Sequence, residues 1–197
     1  MSGAQSLAAL SDAARACREC QARLPLGPRP IFQVHRCARV LVASQAPGRI
    51  AHESGVPFLD ASGRRLREWI GLDEREFYDP RNIAILPMGL CYPGRGSGGD
   101  LPPRPECAPL WREAFMASMR EIRLTLVIGT HAQRWHLERE AGATIAERSR
   151  KWLDGGGDRV PLPHPSPRNN VWLARHPWFE SEFVPKLREV VHRALAR

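Results

Sequence analysis

Four short apolar runs, rich in β-branched residues, recur along the chain, and amphipathic stretches separate them. The runs are ARVLVAS (38–44), NIAILPM (82–88), LTLVIG (124–129) and DRVPLP (158–163). Each is too short for a buried helix and bounded by turn residues, so each reads as a buried strand. A helix is expected over 62–72, with Ser62 as N-cap and Gly71 as terminator. Others are expected over 5–16, 105–122 (opening on proline), 130–141 and 179–196. Strands alternating with helices predict an α/β fold whose parallel sheet is covered on both faces. The 197 residues, with no repeat and no linker, fit one domain over 1–197.

That topology already predicts where a site lies. In open parallel sheets, ligands bind beyond the carboxyl ends of the strands. Three unusual loops follow strands: SQAPGRIAHESGVPF after the first, GLCYPGRGSGGDLPPRPEC after the second and HPSPRNN after the fourth. They should meet on one edge. In LPHPSPRNN (162–170) three prolines fix φ and push the residues before them to extended geometry. His164 therefore sits on a stiff loop, followed by Arg168, Asn169 and Asn170.

Charge narrows the partners. The net charge is +8, which attracts polyanions such as nucleic acid or acidic membrane surfaces. Arginine supplies 27 of the 29 basic residues, a bias that genome base composition also produces, so charge alone favours nucleic acid only modestly. The N-terminal stretch lacks the basic flank and apolar run of a signal peptide, and no segment approaches the ~20 apolar residues of a membrane span. A cytoplasmic, monomeric protein with no membrane partner is expected.

In a reducing compartment, cysteines serve as metal ligands or free thiols more often than as disulfides. Cys17 and Cys20 form a CxxC, and Cys91 and Cys107 bracket the Gly/Pro-rich second loop. Four thiolates at this spacing suit either zinc or a [4Fe–4S] cluster. The bland alternative is that small cysteines merely pack. Cys37 has no partner at ligand spacing and reads as a free thiol.

Taken together, these motifs resemble the uracil-DNA glycosylase superfamily. They are most similar to its iron–sulfur-containing bacterial and archaeal branch, over about residue 12 to the C-terminus. SQAPG (44–48) and GVPF (55–58) stand where that branch has G-E-A/G-P-G and G-x-P-F. The CxxC and the two bracketing cysteines match its cluster ligands, and His164–Pro167 match its H-P-S-P loop. The extension HPSPRN is similar to the single-strand-selective monofunctional branch. The resemblance implies a four-stranded parallel sheet in an α/β/α sandwich, and hydrolysis of the N-glycosidic bond of a damaged base in DNA. Uracil or a related deaminated base is the implied substrate, and Cys17, Cys20, Cys91 and Cys107 the implied cluster ligands. A base flipped from the helix needs a pocket. Phe58 would stack on it, and the Gln45–Ala46–Pro47–Gly48 backbone would meet it. His164 would stabilise charge on its carbonyl as it leaves. Ser166, Arg168, Asn169 and Asn170 would reach the DNA, with Arg168 filling the gap or gripping phosphates.

The chain departs from the family at three places. Ala46 replaces an aspartate of the best-known branch and an asparagine of the single-strand-selective one. Gln45 replaces a glutamate, and 49–53 reads Arg-Ile-Ala-His-Glu, which leaves two readings of His52 and Glu53: groups that orient water or steady the sugar, or plain surface residues. Pro87 stands where a base-reading asparagine is usual, and it offers neither an amide side chain nor a backbone N–H. Two other readings stay open: a damaged-base binder, with or without covalent trapping through a histidine such as His52, and a zinc-stapled nucleic-acid-binding module without a pocket.

Overall fold

The computed structural model describes residues 6–137 and 144–196. Four strands form one parallel sheet: β1 (Val40–Ala43), β2 (Ile83–Ile85), β5 (Leu124–Ile128) and β6 (Arg159–Leu162), in the order β2-β1-β5-β6. Register pairs Val40 with Ile83 and Leu124, and Leu126 with Val42 and Val160. The edge strand β6 carries Pro161, whose missing N–H is tolerated at an edge.

The period of two along each strand builds two cores. Val40, Val42, Ile83, Ile85, Leu124, Leu126 and Ile128 pack to one face. They meet α3 (Ala61–Ile70), α9 (Val184–Ala196) and the aromatic π-helical turn Phe179–Phe183. Leu41, Ala43, Ala84, Leu86 and Val127 pack to the other face, against α1 (Leu7–Arg15) and α5 (Cys107–Ser118). The result is the expected three-layer α/β/α sandwich. Among the described residues no helix is long and apolar enough to cross a membrane.

Several elements differ from expectation. Helix α3 starts before Ser62, because Asp60 is the N-cap and its carboxylate accepts from Gly63 N–H at 3.1 Å. An aspartate two residues upstream caps as well as serine. Ser62 is instead buried in the first turn, while Gly71 ends the helix at φ 68° as expected. The first long loop contains α2 (Arg49–Ser54), and α4 (Glu74–Tyr78) follows α3, opened by an Asp73–Glu76 capping box. The second loop folds into a small hairpin, β3 (Arg95–Gly96) with β4 (Gly99–Asp100). The helix expected over 130–141 is α6 (Gly129–His136), and positions 138–141 lie outside the described residues. Two further helices are α7 (Ile145–Gly155) and α8 (Asn170–Arg175).

Candidate active site

A cavity of about 390 Å³ opens beyond the carboxyl ends of the strands, where the three loops meet. Its lining includes Gln45, Ala46, Pro47, Gly48, Phe58, His164, Ser166, Arg168 and Asn169. Nine of the residues expected to contact base or DNA are thus brought together by segments far apart in sequence.

Each wall has a local cause. Ser44 O and Gln45 O, just past β1, accept from Met88 N–H (2.8 Å) and Gly89 N–H (2.9 Å), so the first loop is tied to the second. Gln45 Nε2 donates to Leu101 O at 3.2 Å. Phe58 adopts φ 56°, a left-handed conformation costly for a residue with a Cβ and often associated with functional sites. Its neighbours hold it there. Tyr78 Oη donates to Pro57 O (2.9 Å), Arg67 Nη1 donates to Phe58 O (3.3 Å), and Phe77 packs edge-on to the Phe58 ring. Gly63 is required beneath this turn, because a Cβ there would lie 1.6 Å from Phe58 O.

His164 is half-buried in the cavity wall. Its Nδ1 accepts from Ser166 N–H at 3.2 Å, which assigns the ring proton to Nε2. Asn169 Nδ2 donates to His164 O at 2.6 Å, and Arg65 Nη1 to Ser166 O at 3.2 Å, so the proline-stiffened loop is also pinned from outside. Burial lowers the His164 pKa below the ordinary imidazole value, against the opposing pull of Asp60 and Asp100. The ring is therefore a neutral, fixed Nε2–H donor.

Arg168 turns back across the cavity. Its Nη1 donates to Gly98 O at 3.1 Å and packs on Gly99, where a Cβ would meet it at 1.9 Å. Asn170 is exposed at the start of α8 and lies outside the lining. His52 and Glu53 also stand outside it: Ala51 is the α2 residue that faces the cavity. His52 packs beside Tyr92, its Nδ1 buried without a hydrogen-bond partner, and its pKa is lowered first by burial and then by Arg29. Glu53 is exposed and paired with Arg49 at 2.7 Å. The acids that do line the cavity are Asp60 and Asp100. Asp60 was foreshadowed by a cap-like D-A-S-G two residues after Phe58. Asp100 had no local signal, since only the hairpin carries it to the rim.

The four cysteines converge separately. Cys17, Cys20, Cys91 and Cys107 line one small cavity with Arg104 and Trp111. Among the described residues no three His, Cys, Asp or Glu side chains are close enough to hold a single metal ion. Leu90 N–H donates to Cys107 Sγ at 3.3 Å. Burial pushes the Cys91 thiol up to about 12 and that of Cys107 to about 11. Both are un-ionised thiols unless a cation offsets that burial. Cys37 is exposed and apart from them.

A pocket at the strand ends, lined by both a strained aromatic and a rigid neutral imidazole, suits a flat heterocycle that gains negative charge. The model of the uracil DNA glycosylase superfamily matches residues 33–188, and the chain belongs to that superfamily. It is a DNA glycosylase-like enzyme of a family that acts on DNA. The match contains Cys91 and Cys107 and begins after Cys17 and Cys20.

Proposed function

We propose that this protein excises a deaminated base, uracil or a close relative, from DNA by hydrolysing its N-glycosidic bond. The observation that carries this reading is the fixed tautomer of His164, a neutral donor lining the same cavity as the constrained Phe58. Phe58 stacks on the flipped base. As the bond to the sugar stretches, electrons pass to the base carbonyl, and His164 Nε2–H stabilises that charge without reorganising. Asp60 and Asp100, whose charges act on His164, steady the cationic sugar that water then attacks. Incubating the protein with oligonucleotides bearing uracil, hypoxanthine or normal bases tests this. Release of free uracil or hypoxanthine supports it, and release of neither from any strand refutes it.

Ser166, Arg168 and Asn169 line the cavity and would contact DNA, with Arg168, once released from Gly98 O, filling the space left by the flipped nucleotide. Flipping costs a few kcal/mol in a duplex and less in a single strand, so Arg168→Ala should slow duplex excision about tenfold more than single-strand excision. Equal slowing in matched single-turnover assays would reduce Arg168 to a charge contact.

Cys17, Cys20, Cys91 and Cys107 would hold a [4Fe–4S] cluster. Four thiols lining one cavity match the four thiolates that such a cluster takes. The cluster would supply a structural tie between the N-terminal segment and the second loop, since hydrolysis needs no electron transfer. Cys91→Ala should abolish visible absorption and lower the melting temperature, whereas Cys37→Ala should change neither. Wild-type protein free of iron and zinc, with unaltered stability, would contradict this assignment.

A further inference from the structure

Behind the cavity lies a buried cation with no counter-ion among the described residues. Arg112, on α5, is only 2% exposed. Its Nη1 donates to Leu86 O (3.0 Å) and Pro87 O (3.4 Å), and Nε and Nη2 lie 3.0 and 2.7 Å from His136 Nε2. No carboxylate is among its partners in the described residues. Burial lowers the guanidinium to about 10, so it stays charged at neutral pH. His136 does not compensate it. Burial, then the charge of Arg112, holds this imidazole down to about 3, and Arg159 approaches His136 O as well. Interiors seldom keep an unpaired charge, because removing it from water is expensive.

The position of the charge suggests its use. Pro87 lines the cavity, so Arg112 lies one residue's thickness behind the cavity wall. Arg112 donates to the Leu86 and Pro87 carbonyls, while Met88 N–H, the positive end of the Pro87 peptide, is held by Ser44 O at 2.8 Å. The charge acts through this thin wall, in surroundings of low dielectric where such fields are strong. We propose that Arg112 is a positioning residue that, through the Leu86–Pro87 backbone, presents a fixed positive potential to the base pocket and so stabilises the base as it departs as an anion. Pro87 itself has no N–H to donate, and this field does at that wall what a donor would otherwise do.

The inference rests on the glycosylase reading, and leaving-group dependence separates the two. Fluorine at carbon 5 stabilises the uracil anion, so 5-fluorouracil needs less help than uracil. Arg112→Gln should therefore slow uracil excision roughly tenfold more than 5-fluorouracil excision, a smaller effect than losing a direct oxyanion donor. The charge-retaining Arg112→Lys should restore part of the difference. Equal losses on both bases, or identical Lys and Gln variants, would overturn the proposal. A wild type that releases neither base would instead refute the glycosylase reading. If Arg112→Gln does not fold, Arg112→Lys decides alone, because a buried amine loses its charge as pH rises. Its ratio of 5-fluorouracil to uracil rates, divided by that of the wild type at the same pH, should climb with pH. A flat quotient would contradict the proposal.

Discussion

Replacing His164 with alanine is expected to lower single-turnover excision by about 10²–10³, the usual loss when one preorganised donor to a developing oxyanion is removed. Single- and double-stranded substrates should suffer alike, because bond cleavage is common to both. Stability should change little: the ring's hydrogen bond is to Ser166 N–H within its own loop, and prolines hold that loop. Since burial keeps His164 below the ordinary imidazole value, the wild-type rate should hold as pH falls through that value and decline only lower. Protonation there would cost the Ser166 N–H···Nδ1 bond. Full activity of His164→Ala, measured by chromatographic release of the base, would remove His164 from the chemistry.

Gly63→Ala should be almost as damaging, from a position that bears no functional group. The added methyl would lie 1.6 Å from Phe58 O and 2.8 Å from Phe58 Cβ, distances at which something must move. Either α3 shifts, disturbing Leu66, Trp69 and Ile70 in the core, or the left-handed Phe58 turn gives way and the stacking wall is lost. The first route should destabilise toward the upper end of the about 1–3 kcal/mol typical of overpacking. The second should spare stability and abolish excision. Denaturant melts and single-turnover assays on one preparation distinguish the routes, and wild-type values in both would show that the turn is slack.

Much of the sheet was legible because its signal is local and repetitive: apolar runs such as ARVLVAS and LTLVIG have no other comfortable place. The gathering of the SQAPG, GVPF and HPSPRNN segments at one edge followed from parallel topology alone. What escaped was either short or distant. Helix α2 has six residues, less than two helical turns, so no periodicity builds up in it. Helix α7 carries a Thr144–Glu147 capping box, a local signature that was there to be read. The placement of Asp100 at the cavity rim and the Arg112–His136 contact depend on packing between segments, on which spacing along the chain is silent. His52 and Glu53 sit in the loop that sequence pointed to, and a short helix turns Ala51 toward the cavity in their stead.

The central claim is that this pocket breaks a glycosidic bond by hydrolysis. The most direct test is a single turnover on a uracil-containing oligonucleotide in water enriched in heavy oxygen, with free base, DNA and protein all analysed by mass spectrometry. The expected products are free uracil, an abasic site whose anomeric hydroxyl carries solvent oxygen, and unmodified protein. Bound but intact DNA, or a covalent protein–DNA adduct in place of the hydroxylated abasic site, would contradict it.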